Sequence, residues 1–185
     1  MKIYIIERNK DKFKYLVPYF DNLEDITLVN TDFSTFMKTT DVECIVSPAN
    51  SYGIMNGGYD RAITNYYGTF IQNKVQEYIL DNYHGEQPIG TSFIIDINEK
   101  HKLIHTPTMR VPEKIKDELV IYQCMRTTLL LAKEKNIESI LIPMFGGMTG
   151  GVDANVIARM MRYAYDQVNS PKEIPSWENI RKLKY

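Results

Sequence analysis

The chain of 185 residues holds only two cysteines, Cys44 and Cys124, each inside an apolar segment. They offer no zinc-ligand spacing and no disulfide framework, so both are expected as buried thiols of a protein from a reducing compartment. No apolar run is long enough to cross a bilayer and no secretory h-region follows Met1, which sets the expectation of a cytoplasmic protein with no membrane partner. Charge of one sign is missing too. The formal net charge is −1, which removes the whole-chain basic field of a nucleic-acid binder, and no basic aromatic face replaces it. The small clusters Lys10, Lys12, Lys14 and Arg181, Lys182, Lys184 read as solvated surface. Repeats and low-complexity tracts are absent, and of three histidines, His84 and His101 fall in turns while His105 falls in a strand.

What remains is an ordinary globular composition, long enough for one domain with a substantial core. Strand and helix signals alternate along it. Lys2 to Ile6, Ile26 to Asn30 and Val42 to Pro48 read as strands, as does Ser139 to Pro143 further on. Phe13, Leu16, Val17 and Phe20 recur at helical spacing, with Pro18 limiting or bending that helix. A helix from about Asp60 breaks near Gly68 and resumes through Val75, Tyr78 and Ile79 to Tyr83. Thr91 to Ile97 pairs with Lys102 to Thr106 across Asn98-Glu99-Lys100 as a hairpin. Asp117 to Lys135 is the longest helix, ended by Asn136. Asp153 is a good N-cap for a last helix with Ala154, Ile157, Ala158, Met161, Ala164, Tyr165 and Val168 on one face. Intermixed strands and helices with one antiparallel pair predict an α/β protein with helices on both faces of a mixed sheet. Residues 1–168 form the domain, and 169–185 are a tail that the pattern does not read.

Two strand–loop–helix junctions carry glycine pairs, one at Gly57-Gly58 and one from Gly146 to Gly151. That layout aims bare backbone N–H groups at an anion, and two such loops on one crevice can cradle a diphosphate. Neither loop is a strict nucleotide fingerprint: the second lacks the Lys-Ser/Thr of a P-loop, and neither has G-x-G-x-x-G phasing.

Together the loops resemble the macro domain family, which binds ADP-ribose. Ser47-Pro48-Ala49-Asn50 through Gly57-Gly58-Tyr59-Asp60-Arg61-Ala62-Ile63 is similar to the family pattern N-A-A-N-x-x-L-x-G-G-G-V-D/A-x-A-I. Pro143-Met144-Phe145-Gly146-Gly147-Met148-Thr149-Gly150-Gly151 resembles its second signature, P-A-L-G-T-G-x-x-G. Asn30-Thr31-Asp32-Phe33 stands where the family shows G-D-I, and Leu103-Ile104-His105-Thr106 looks like its V-I-H-T strand. The resemblance runs in order from about Ile26 to Tyr165. Ser47 replaces the first Asn of the pattern, Met55 and Asn56 fill positions usually held by glycine, and Gly147-Met148 stands where Thr-Gly is common.

The resemblance implies a three-layer α/β/α sandwich and a set of roles. Asp32 would accept a hydrogen bond from the adenine amino group, with the Phe33 backbone N–H nearby; on the residues alone Asp32 is a strand-end turn acid. Asn50 would contact the distal ribose, or else merely end its strand. Gly57, Gly58 and Tyr59 would approach the ribose and diphosphate from one side. Gly146, Gly147, Met148, Thr149 and Gly150 would close from the other, with Phe145 as an apolar wall. Asp60 would activate water at the distal ribose; the plainer alternative is a helix-start acid complementing the macrodipole. The implied activity is hydrolysis of ester-linked ADP-ribose on acidic side chains, or of O-acetyl-ADP-ribose, with Asp60 and Asn50 at the reacting end. A non-catalytic ADP-ribose reader and an ADP-ribose-1″-phosphate phosphatase are the alternatives. No metal or other cofactor is expected, the partner is ADP-ribose or an ADP-ribosylated protein, and the chain is expected to be a monomer.

Overall fold

The computed structural model describes residues 1–170, 174 and 176–182. Six strands form one sheet: β1 (Lys2–Ile6), β2 (Ile26–Val29), β3 (Cys44–Ser47), β4 (Phe93–Asp96), β5 (Lys102–His105) and β6 (Ser139–Pro143). Their order is β2-β1-β6-β3-β5-β4. Every pairing is parallel except the edge pair β4–β5, the expected hairpin, in which Phe93 faces His105 and Asp96 faces Lys102.

The central strands are apolar on both sides, as a buried parallel sheet requires. Successive side chains leave on opposite faces, so Ile3, Ile5, Cys44, Val46, Ile140 and Ile142 enter one core layer. Tyr4, Ile6, Ile45, Leu103 and Leu141 enter the other. The first layer is closed by α6 (Leu119–Glu134) and α7 (Ala154–Asn169), with the short helices α1 (Lys10–Phe13) and α2 (Val17–Phe20) beside them. The second is closed by α3 (Phe33–Thr39), α4 (Gly58–Tyr67) and α5 (Phe70–Tyr83). The fold is a three-layer α/β/α sandwich around a mixed sheet.

Local chemistry accounts for most element ends. Asn9 caps α1 by accepting from the N–H groups of Asp11 and Lys12. Pro18 enters the first turn of α2, where its missing N–H is harmless, so the single bent helix expected over this stretch is two short ones. Gly68 at φ 111° separates α4 from α5, a geometry costly for any residue with a Cβ. Asn136 takes a left-handed conformation just after α6. Cys44 and Cys124 are fully buried, and burial pushes both thiols up. Within the stretch 169–185, α8 (Trp177–Lys182) is helical; Lys184, named above, lies outside the described residues. No helix of the described residues is long and apolar enough to cross a membrane.

Candidate functional site

Open parallel sheets bind ligands beyond the carboxyl ends of their strands, where the connections diverge to opposite faces. The chain leaves β1 for β2 on one side and later places β3 on the other, with β6 between them. A cleft of about 390 Å³ opens at that point. Its lining comes from the segments that follow five strands: Glu7 to Asn9 after β1, Thr31 to Phe33 after β2, Pro48 to Asp60 in part after β3, Thr108 and Met109 after β5, and Met144 to Gly150 in part after β6.

One wall is the start of α4. The helices α3 and α7 are capped by aspartates: Asp32 accepts from the Thr35 N–H at 3.0 Å and Asp153 from the Asn155 N–H at 2.9 Å. Helix α4 instead begins at Gly57 with no side-chain cap. The N–H groups of Gly57, Gly58 and Tyr59 therefore have no acceptor among the described residues and stand on the cleft wall. Gly57 and Gly58 are exposed, and an open helix N-terminus at such a site favours an anion by about 0.3–1 kcal/mol.

The opposite wall is the second glycine loop. Gly151 donates to the Met148 carbonyl and Val152 to that of Gly146, which folds the loop back on itself. The N–H groups of Gly147, Met148, Thr149 and Gly150 remain without acceptors among the described residues. Gly146 needs its positive φ of 73°, and a Cβ there would stand 2.7 Å from Ile121 Cδ1. The two walls meet at the Met148 side chain, whose sulfur and methyl lie 3.6 Å from where a Gly58 Cβ would be.

Asp60 lines the cleft one turn into α4. Ser47, fully buried at the end of β3, donates from Oγ to Asp60 Oδ1 at 2.7 Å. Desolvation pushes the Asp60 carboxyl up to about 7, against the hydrogen bond from Ser47, which favours the ionised form. The Asp32 carboxylate is moved the other way, below its usual range, by hydrogen bonds from the Thr35 N–H and hydroxyl. Asp32 and Asp60 are therefore set apart: at neutral pH Asp32 is anionic, while Asp60 keeps its proton far above the usual carboxylate range.

Of the residues singled out in the sequence, Asp32, Phe33, Asn50, Gly57, Gly58, Tyr59, Asp60, Gly146, Gly147, Met148, Thr149 and Gly150 all line this one cleft. Phe145 does not. Its ring is fully buried in the layer of α6 and α7, because β6 ends at Pro143 and its alternation stops there, so that Met144 and Phe145 both pack in the layer that Ile142 faces. Asn50 reaches the cleft, but its carboxamide is engaged by its own loop. Nδ2 donates to the Ile54 carbonyl at 2.8 Å, and Oδ1 accepts from the Tyr52 and Ile54 N–H groups. That leaves one N–H of Asn50 for a ligand and no carbonyl lone pair, so the contact with a ribose expected of it is reduced to a donor's. Tyr59 buries its phenol without a partner among the described residues, its ring edge-on to Phe33 at 5.4 Å. Tyr52 lies outside the cleft lining, held by Glu86 at 2.9 Å and by Arg110 over its ring.

His105 is a structural histidine. Its Nδ1 pairs with Gln87 Oε1 at 2.6 Å, and burial pushes it down to about 3, so it stays neutral. Sequence reasoning missed Arg8, Asn9 and Lys12. The Lys12 ammonium donates to the Gly147 carbonyl and lines the cleft beside Arg8, so this lysine is not simply solvated surface. Its place just past a central parallel strand was the signal that could have found it. Among the described residues no cluster of His, Cys, Asp or Glu is placed to hold a metal.

Known proteins are similar to this chain. An uncharacterized protein of Aquifex aeolicus is 32% identical over 123 residues, 65% of this chain and 71% of that protein. The Oceanobacillus iheyensis macrodomain with ADP superposes with a TM-score of 0.61 at 25% identity, covering 69% of this chain and 70% of its own. Thermosipho africanus DarTG in complex with ADP-ribose matches in fold, with a TM-score of 0.60 at 14% identity over 92% of this chain and 54% of its own. The Macro domain model matches residues 46–161, a span that starts inside β3, takes in both glycine loops and ends in α7. On that match, over more than half of its length, the chain belongs to the macro domain family.

Proposed function

We propose that the cleft binds ADP-ribose and that Asp60 directs water to hydrolyse its esters, on ADP-ribosylated acidic side chains or in O-acetyl-ADP-ribose. The observation that carries this reading is the pair of facing walls with unanswered N–H groups, one the uncapped start of α4 and one the second glycine loop. A diphosphate supplies the acceptors both walls lack. Each Asp32 oxygen already takes one hydrogen bond from Thr35 and retains capacity for an adenine amino group. The ADP in the Oceanobacillus macrodomain and the ADP-ribose in Thermosipho DarTG are ligands of the same chemistry.

The distal ribose then lies toward Asp60. For an ester at the anomeric carbon, the Asp60 carboxylate takes a proton from water as the water oxygen bonds that carbon. The bond to the ester oxygen breaks and the freed acid leaves as a carboxylate. A group with a pKa of about 7 suits proton transfer near neutrality. Asp60→Ala is expected to slow release of ADP-ribose from a mono-ADP-ribosylated protein by roughly 10²- to 10⁴-fold, with ADP-ribose affinity by calorimetry nearly unchanged. Full turnover by the variant removes Asp60 from the mechanism, and no affinity for ADP-ribose at millimolar concentration overturns the reading as a whole.

One observation favours a reader instead: the Asn50 carboxamide is taken up by its own loop, which weakens its grip on the reacting ribose. Measurable ADP-ribose affinity together with an unchanged label on an automodified transferase would decide for the reader.

A further inference from the structure

Ser47 stands where the family pattern has Asn, at the end of β3 and without solvent exposure. Its hydroxyl reaches across to the first turn of α4 and donates to Asp60 Oδ1 at 2.7 Å. No other side chain among the described residues holds the Asp60 carboxyl, so Oδ2 has no side-chain partner while Asp60 lines the cleft. We propose that Ser47 is a positioning residue: by fixing Oδ1 it sets the direction of the carboxyl and leaves Oδ2 to aim the attacking water. This rests on the hydrolytic reading of Asp60.

The backbone of Ser47 is itself anchored. It lies opposite His105 in the β3–β5 register, and its carbonyl accepts from the Thr106 N–H at 2.9 Å. The hydroxyl is therefore presented from a rigid sheet to a helix start, a fixed donor for a developing or standing negative charge. A hydrogen bond to the ionised form favours that form, so the bond opposes the desolvation acting on Asp60. Removing the donor must move the acid further up.

The other charged and titratable groups around Asp60 do not duplicate this effect. On α4, the Tyr59 phenol is buried and raised well above its ordinary value, and Arg61 donates to the Asn56 carbonyl. From β5, His105 stays neutral. Asp32 at the start of α3 stays ionised. Glu7, Arg8 and Lys12 line the cleft from the segment after β1, with Lys12 bonded to the Gly147 carbonyl. Tyr67, further along α4, is raised by burial.

The test is the pH profile of ADP-ribose release for wild type, Ser47→Ala and Ser47→Thr, with a carboxyl-carbon NMR titration of Asp60 in the ligand-free proteins. Ser47→Ala is expected to shift the acidic limb and the NMR midpoint upward by about one unit, a roughly tenfold rate loss on that limb. Ser47→Thr, which keeps a hydroxyl, is expected to restore the wild-type midpoint. Superimposed wild-type and alanine midpoints overturn the role of Ser47. If Asp60→Asn leaves turnover intact, the hydrolytic reading fails instead, and the NMR titration still reports on the hydrogen bond alone. Should the alanine variant fold poorly, Ser47→Cys, with its weak S–H donor, must give an intermediate midpoint, and a wild-type midpoint there counts against the proposal.

Discussion

The two glycine loops face each other across one cleft, yet their glycines are required for different reasons. In the second loop, packing demands them. A Cβ on Gly150 would stand 2.7 Å from the Gly146 carbonyl oxygen and 2.6 Å from Ile115, and Gly151 is crowded by Lys114. In the first loop, a Cβ on Gly57 would meet nothing within 4 Å, and its φ of −138° suits any residue. A Cβ on Gly58 would meet only the flexible end of Met148, and glycine is favoured there by a φ of 52° rather than by crowding. The second loop is a piece of the fold that also offers N–H groups. The first is held open where nothing in the protein itself fills the space, which is what a ligand site requires.

The largest effect is expected at Gly150→Ala. The added methyl presses on backbone and on Ile115 together, at the upper end of overpacking costs, about 3 kcal/mol, read as a lower urea midpoint. A midpoint within error of wild type would show that the second loop yields as easily as the first. Next is Asp60→Asn, on the first loop's helix. The folded protein holds the Asp60 proton up to about pH 7, against a value of 3.8 for the free group. Between about pH 4 and 7 the native state thus binds more protons than the unfolded chain, and stability falls as pH rises. Asp60→Asn removes that penalty, so its advantage over wild type in urea unfolding is expected to grow by about 2 kcal/mol from pH 5 to pH 8. A difference that does not change with pH would mean the acid is not desolvated. The smallest effect is Gly57→Ala. The gain from a less flexible unfolded chain and the loss of a preferred N-cap nearly cancel, leaving stability within about 0.5 kcal/mol. The new methyl projects into the cleft, and ADP-ribose affinity by calorimetry is expected to fall roughly tenfold, about 1.4 kcal/mol. Loss of stability without loss of affinity would reverse the contrast between the loops.

Most of the fold was legible along the chain, because its signals are local. The β4–β5 hairpin, the break at Gly68, the turn at Asn136 and the cap at Asp153 each follow from a few neighbouring residues. So did most of the cleft, since the run from Ser47 to Ile63 carries its own motif. Three side chains were misjudged for one shared reason: what they touch depends on direction and reach. Phe145 sits between two cleft-lining neighbours and still points to the core. The Asn50 amide closes on its own loop. Lys12 belongs to a run of lysines that reads as surface, and its partner Gly147 is 135 residues away.

By itself, then, the sequence determined the layers, the order of strand and helix, and the two places where backbone comes bare of side chains. These rest on periodicity and on glycine, which act within a few residues. Tertiary structure alone decided that the two loops face each other, that α4 is the helix left uncapped between them, and that a serine at a strand end holds the acid one turn into that helix. Contacts of that kind join segments far apart in the chain, and no local pattern records the distance or direction of a side chain across a folded core.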